Sequence, residues 1–200
     1  MGRYEKKKPA EEKIGWERTL LLYMHDLIYI LAIVLVLFSL VFREVVVSGF
    51  SMFSTLTDGD YLLLASSLVS PKPKQGDIVV VSKKSFDNGA PIVKRVIATE
   101  GQTVDIDFDA GIVYVDGEAL QEDYTNTPTN LWEGMEFPLV VEKNCIFAMG
   151  DNRNNSKDSR SPDIGQIDRR EILGRALFLL LPGPDVETEK RDFSRIGVIR

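Results

Sequence analysis

The sequence predicts a mostly β protein, in which an N-terminal transmembrane helix precedes an antiparallel β-sheet domain. Two patterns predict this fold class. A nearly uncharged apolar segment runs from Thr19 to Phe42, and beyond Arg43 short runs rich in Val, Ile and Tyr are separated by Gly, Asp, Asn and Pro. With 200 residues and 44% hydrophobic content, the chain is long enough for one globular domain besides this segment.

The N-terminal part divides into a tail, residues 1–18, and an anchor, residues 19–42. The tail is polar and mixed in charge, whereas the anchor carries only His25 and Asp26 near its start. Because about 20 apolar residues cross a bilayer, the anchor is predicted to span the membrane. A buried core helix would not need so long a run, and a cleaved signal sequence would be followed by a small-x-small site, which is missing at Val41–Glu44.

Charge predicts the orientation of this anchor in the cell membrane. Six Lys or Arg residues precede it, and only Arg43 lies close behind it. Basic residues remain on the cytoplasmic side, so we expect a single-pass protein with a cytoplasmic tail. Residues 43–200 then form an extracytoplasmic, β-rich domain.

The strands of this domain are predicted from short β-branched and aromatic runs bounded by turn residues. The clearest are Val45–Val47, Tyr61–Leu64, Ile78–Val81, Ile92–Ala98 and Ile112–Val115. A short helical turn is expected near Asp168–Ile172, and the tail after Pro184 is expected to be a loose end. Asp105, Asp107 and Asp109 alternate with apolar residues, which indicates the solvent face of a strand rather than a calcium loop.

Composition excludes several classes of function. The formal net charge of −6, without a basic stripe, argues against a nucleic-acid partner. The single cysteine, Cys145, lies in an apolar run and is predicted to be a buried strand residue. The single histidine, His25, lies in the anchor, so the outer domain has neither an imidazole for a Ser-His-Asp site nor the usual ligands of a zinc site. We expect no metal and no cofactor.

Three segments combine residues of chemical interest: Gly49–Leu56, Val93–Ile97 and Met149–Arg160. Taken singly, each has an ordinary interpretation. Ser51 is a turn serine, Lys94 a solvent-facing strand lysine, and the third segment a polar turn. A calcium loop is excluded for the third segment, because Arg153 and Ser156 occupy positions that need an acidic residue and a glycine.

Together, these segments resemble the type I signal peptidases. Ser51-Met52-Phe53-Ser54-Thr55-Leu56, Lys94-Arg95 and Gly150 through Arg160 match that family's motifs in their order, and the resemblance extends roughly over residues 46–182. It implies a membrane-bound serine endopeptidase that removes signal peptides from exported preproteins after small residues. The partners implied are these preproteins and the lipid bilayer.

The resemblance also implies a role for each site residue. Ser51 would be the nucleophile, with its backbone N–H in the oxyanion hole, and Lys94 the general base. Ser156 would orient the Lys94 amine, and Asp158 and Arg160 would brace the loop. A lysine can act as a base only when uncharged, which requires burial to lower its pKa by roughly 3, at a cost of about 4 kcal/mol.

Departures from the family pattern leave alternatives open. Ser54 stands where the family usually has proline, and Gly49 stands where some members have a serine that helps to form the oxyanion hole. A catalytically weak or specialised assembly factor for surface proteins is therefore an alternative, and a soluble self-cleaving Ser/Lys protease would leave the anchor unexplained. The substrate is expected to add to a sheet edge, at Val46–Phe50 or at the strand approaching Lys94. Trp132 and Phe137 are interpreted as loop anchors or as membrane-interface residues.

Overall fold

A computed structural model describes residues 15–70, 72–185 and 188–199 of the chain. Most of the expected cytoplasmic tail, residues 1–14, lies outside the described residues. The chain divides into two compact units, residues 1–39 and residues 40–200.

The described residues of the first unit form most of a helix, α1, which spans Trp16–Val41 and ends in the second unit. None of its residues is buried, and its most apolar 18-residue window has a mean hydropathy of 2.4. With 26 residues and a rise of 1.5 Å per residue, it is about 39 Å long, which exceeds the thickness of a bilayer's hydrocarbon core. By length and composition, α1 fits a single-pass membrane anchor.

The predicted anchor limits, residues 19–42, differ from those of the helix. The helix begins earlier, at Trp16, and Phe42 is the first residue of a strand, paired with Ala65. Phe42 continues the apolar run, so hydropathy alone could not separate the end of the helix from the start of the sheet.

Twelve strands follow within the described residues. They are β1 Phe42–Val46, β2 Tyr61–Ser66, β3 Ile78–Ser82, β4 Pro91–Thr99, β5 Thr103–Asp107, β6 Ile112–Val115, β7 Glu118–Ala119, β8 Leu139–Val140, β9 Cys145–Met149, β10 Ile167–Asp168, β11 Ile172–Leu181 and β12 Gly197–Val198. Three short 3₁₀ helices lie at Asp87–Gly89, Arg169–Glu171 and Phe193–Arg195. The predicted strands are present, and the helical turn expected near Asp168 is the second of these 3₁₀ helices.

The strands form two sheets in which all pairings are antiparallel, so the predicted fold class is confirmed. The larger sheet has the order β1-β2-β11-β3-β4-β9-β10, with β12 added to β11, and the smaller has the order β7-β6-β5-β8. In β5 the side chains of Val104 and Ile106 are buried, whereas Asp105 and Asp107 are exposed. Asp109 lies beyond the strand, so the predicted solvent face ends at Asp107.

Hydrophobic cores pack against these sheets, and they decide two further predictions: one for Trp132 and Phe137, and one for Cys145. Phe137 packs against Phe108 and Phe147 in the core of the smaller sheet, whereas Trp132 is 57% exposed. Of this pair, only Phe137 is therefore a loop anchor. Cys145 is free and only half-buried, because it is the first residue of β9, where the strand emerges from the core.

The C-terminal segment is not the loose end that its composition suggested. The backbone N–H of Gly183 donates to the Asp60 carboxylate at 2.7 Å, and β12 pairs with β11 through Phe178 and Val198. These contacts join positions far apart in sequence, and no local pattern reveals them.

Candidate active site

Ser51 lies in the turn that connects β1 to β2, residues 47–60, which we call the nucleophile turn. Met52 and Leu56 are fully buried, and the amide of Leu56 donates to the carbonyl of Met52 at 2.9 Å. At the start of the turn Gly49 has a φ of +85°, which favours glycine, and its N–H donates to Asp58 Oδ1 at 2.7 Å. The two apolar anchors hold the turn against the core while Ser51 remains partly exposed.

Lys94 lies within β4, opposite Val79 of β3, and only 3% of its surface is exposed. Its Nζ atom lies 2.8 Å from Ser51 Oγ. Burial lowers the pKa of Lys94 from 10.5 to about 8, although the nearby carboxylates of Asp158, Glu133 and Asp151 act in the opposite direction. The buried strand thus supplies an amine that loses its proton far more readily than a solvated lysine.

Arg95, the residue after Lys94, links the three sequence segments. Its Nε and Nη2 atoms donate to both carboxylate oxygens of Asp151, at 2.8 and 2.7 Å. The hydroxyl of Thr55, in the nucleophile turn, donates to the same carboxylate at 2.6 Å. Bidentate arginine–carboxylate pairs fix direction as well as distance, so Arg95 ties β4 to the polar loop and, through Asp151, to the nucleophile turn.

Asp158 and Arg160 form a buried ion pair within the polar loop, residues 150–160. Arg160 Nε and Nη2 donate to the two oxygens of Asp158 at 2.9 and 2.8 Å, and Asp158 also accepts the N–H of Gly150 at 3.0 Å. Arg160 donates further to the carbonyls of Leu131 and Arg153. Buried charges persist only when they are paired and hydrogen-bonded, and this pair holds the loop in one conformation.

Ser156 does not form the hydrogen bond to Lys94 that the resemblance implies. Its hydroxyl is buried and has no hydrogen-bond partner among the described residues, while the Lys94 amine is directed to Ser51. The Ser156 side chain instead lies against Gly150, where a methyl group would collide with both Ser156 Oγ and the carbonyl oxygen of Ser51. Glycine at position 150 therefore allows the polar loop to contact the nucleophile turn.

The backbone N–H of Ser51 donates to no acceptor within the described parts of the chain, so it is available to a ligand. The carbonyl of Ser51, in contrast, accepts the N–H of Asn152 at 3.0 Å. Gly49 has no side chain to provide a second donor.

Sequence reasoning missed several residues contributed by residues 120–137. The Tyr124 ring lies 4.0 Å from the Arg95 guanidinium, and Glu122 pairs with Arg153 of the polar loop. Glu133 lies 3.3 Å from Arg160, and burial, together with the charge of Asp158, raises the pKa of Glu133 to about 7. This segment has no motif or hydrophobic period, so only the fold reveals that it lines the site.

Two sheet edges near the site are unpaired among the described residues. Residues 43–46 of β1 pair only with β2, and residues 91–94 of β4 pair only with β3, because pairing with β9 begins at Arg95. An open groove of about 560 Å³ lies beside the polar loop, lined by Glu133, Asn155 and Ser156 among others. No group of three or more His, Cys, Asp or Glu residues in the described ranges is arranged to hold a metal ion.

The comparisons with a family model and with the sequences of known proteins agree on one family. A family model described as "Signal peptidase, peptidase S26" matches residues 20–181. A probable signal peptidase I-1 of Synechocystis is 40% identical over 140 residues, which cover 66% of this chain and 67% of that protein. A signal peptidase I of Bacillus amyloliquefaciens is 31% identical over 201 aligned positions, which cover 93% and 99% of the two chains. A crystal structure of a signal peptidase I from Enterococcus faecalis, 29% identical, covers 52% of this chain and 97% of its own, with a TM-score of 0.43.

Proposed function

The chain belongs to the signal peptidase family, peptidase S26, and from this premise we propose that it is a membrane-bound serine endopeptidase with Ser51 as nucleophile and neutral Lys94 as general base. Its substrates are exported preproteins, from which it removes the signal peptide after small residues. The observation that carries the proposal is the 2.8 Å contact between Lys94 Nζ and Ser51 Oγ in a buried environment.

The reaction begins with the Lys94 amine uncharged. Lys94 takes the hydroxyl proton of Ser51 as Oγ attacks the scissile carbonyl carbon, and the Ser51 N–H stabilises the oxyanion that forms. The resulting ammonium donates its proton to the departing amine, which leaves an acyl-enzyme on Ser51. Lys94 then takes a proton from water as the water oxygen attacks the acyl carbon, and the ammonium returns this proton to Ser51 Oγ as the ester bond breaks and the signal peptide leaves.

The remaining site residues act through these two. Asp158 and Arg160 maintain the loop that faces the Ser51–Lys94 pair, and we assign no substrate contact to them. Ser156 is proposed to orient the Lys94 amine when substrate is bound. In support, its hydroxyl is buried and has no hydrogen-bond partner in the part of the chain that the structure describes, a state that costs about 1–3 kcal/mol until a hydrogen bond forms.

An extended substrate fits the unpaired edges described above. Main-chain hydrogen bonds to residues 43–46 of β1, or to residues 91–94 of β4, would hold the substrate chain beside Ser51, and alternate side chains would then face the enzyme. The preference for small side chains at the first and third positions before the cut follows from the family resemblance alone.

We also propose the orientation in the membrane predicted from charge, with residues 1–18 in the cytoplasm, an anchor over 19–42 and residues 43–200 outside. Protease added to intact protoplasts should degrade the outer domain and spare the tail. Protection of the segment from Trp132 onward would contradict this orientation.

The catalytic proposal is tested with the full chain in detergent and a preprotein substrate. Wild type should release the signal peptide, whereas Ser51→Ala, Lys94→Ala and Lys94→Arg should not, because arginine remains charged and cannot accept a proton. His25→Ala serves as the control and should cleave like wild type. Near-normal turnover by a folded Lys94→Arg variant would overturn the Ser/Lys mechanism, and absence of cleavage by wild type would favour the assembly-factor alternative.

A further inference from the structure

The segment after residue 181 extends past the family match and returns to the nucleophile turn. We call its described parts, residues 182–185 and 188–199, the C-terminal strap. At its start the N–H of Gly183 donates to Asp60 Oδ1 at 2.7 Å, and a side chain at Gly183 would collide with the Asp58 carbonyl. At its end β12 pairs with β11. Both ends of the strap are therefore anchored.

Arg195, two residues before β12, binds the nucleophile turn directly. Its Nη2 and Nη1 atoms donate to the two oxygens of Asp60 at 2.7 and 3.0 Å. Nη1 also donates to Thr57 Oγ1 at 2.9 Å, and Nη2 approaches the Thr55 carbonyl oxygen at 3.4 Å. The Asp60 side chain is fully buried, whereas 26% of the Arg195 side chain is exposed. Arg195 is thus the charged partner of a buried carboxylate.

Asp60 closes the nucleophile turn upon itself. Its carboxylate accepts the N–H of Thr57 at 2.8 Å, and its backbone carbonyl accepts the N–H of Val47 at 2.8 Å. Residues at the two ends of the turn are therefore joined at Asp60. Without Arg195, this carboxylate would keep its charge in a buried position or draw in water, and either change would disturb the hydrogen bonds that shape the turn.

Thr55 links Arg195 to the other side of the site. Its carbonyl oxygen faces Arg195, while its hydroxyl donates to the Asp151 carboxylate that Arg95 also holds. The nucleophile turn is consequently fastened from two directions: by Arg95 and Asp151 on the Lys94 side, and by Arg195 on the strap side. Ser51 lies in the same turn, four residues before Thr55.

We propose that Arg195 is a positioning residue for Ser51, and that the C-terminal strap holds the nucleophile turn in the conformation that places Ser51 Oγ at Lys94. The inference rests on the proposed Ser/Lys function. Arg195 touches neither of these two side chains in the structure, so its effect passes through Asp60 and Thr55. Displacement of a reacting group by about 1 Å can lower the rate roughly 100-fold, so a brace of this kind affects turnover more than binding.

The test compares Arg195→Ala and Arg195→Lys with Arg170→Ala in the detergent-solubilised full chain. Arg170 forms an exposed ion pair with Asp168, so its variant also removes one arginine and one salt bridge, but outside the site. We expect kcat of folded Arg195→Ala to fall at least roughly tenfold with KM within about twofold of wild type. The kcat of Arg195→Lys should lie between those of Arg195→Ala and wild type. The kcat and KM of Arg170→Ala should match those of wild type.

Hydrogen exchange provides a readout that does not depend on the chemistry. Backbone amides of residues 47–60 should exchange faster in Arg195→Ala and Arg195→Lys than in wild type, with unchanged exchange in the smaller sheet. Wild-type kcat in a folded Arg195→Ala, unchanged exchange in residues 47–60, or a rise in KM without a fall in kcat would overturn the proposal. If Arg195→Ala does not fold, the same measurements on Arg195→Lys decide. Failure of wild type itself to cleave would count against the Ser/Lys function, while the exchange data would still judge the strap.

Discussion

Raising the pH from 7 to 9 should increase kcat/KM of this enzyme roughly tenfold, because in the proposed mechanism Lys94 must lose a proton before it acts as the base. With a pKa of about 8, roughly one tenth of the Lys94 amines are neutral at pH 7 and roughly nine tenths at pH 9. A solvated lysine with its ordinary pKa of 10.5 would be neutral about 300 times less often at pH 7. The difference corresponds to about 3 kcal/mol, supplied by burial in β4.

The rise of kcat/KM with pH forms the rising limb of the pH profile, and the pH at which this limb lies should respond to a single neighbouring charge. The carboxylate of Glu133 raises the pKa of Lys94 against the larger, opposite effect of burial. Glu133 is itself ionised above its own pKa of about 7, so its charge is present over the range in which Lys94 titrates. Glu133→Gln removes that charge, and the rising limb should move to lower pH. Glu136→Gln, an exposed position three residues further on, is the matched control and should leave the limb in place.

The assay is kcat/KM for a short signal-peptide substrate, measured with the detergent-solubilised chain over the pH range in which the protein remains folded. We choose kcat/KM because its pH dependence reports the pKa values of groups in the free enzyme, whereas that of kcat reports those in the enzyme–substrate complex. A wild-type limb near 10.5 would refute the burial argument. A limb that stays in place or moves to higher pH in Glu133→Gln would refute the assignment of its charge.

The remaining predictions concern stability and the turn. Lys94→Met should raise the free energy of unfolding by up to about 3 kcal/mol at pH 7, because the folded-state pKa of Lys94 lies below its unfolded value. This gain should shrink by about 1.4 kcal/mol per pH unit between pH 8 and 10.5; equal urea stability of the two proteins at pH 7 would contradict it. Ser54→Pro should leave cleavage intact or improve it, since no proton transfer uses Ser54, and a folded but inactive variant would show that the turn is built differently. Gly150→Ala should lower kcat at least roughly tenfold, because its methyl group collides with Ser156 and the Ser51 carbonyl, whereas Gly15→Ala, which has open space, should not.

Local patterns were sufficient for the fold class and for most element positions. The apolar run over Thr19–Phe42 overlaps α1, and the runs at Tyr61, Ile78, Ile92 and Ile112 became β2, β3, β4 and β6. These elements follow from hydrophobic period and β-branched content, which act over a few residues. Motif resemblance selected Ser51 and Lys94, and the structure places Nζ and Oγ within 2.8 Å, although their catalytic roles await the experiments above.

Tertiary structure alone decided how these residues are surrounded. The pKa of Lys94 depends on burial in a paired strand and on charges from positions as distant as Glu133 and Asp158, none of which is in its own segment. The Ser156 hydroxyl was expected to meet Lys94 but lies against Gly150, and the supposed loose C-terminal end places Arg195 on Asp60. These contacts join residues many positions apart, and neither spacing nor composition encodes them. The amino-acid sequence selected the residues proposed to carry the chemistry, whereas packing determined the pKa of Lys94 and the contacts of the turn that holds Ser51.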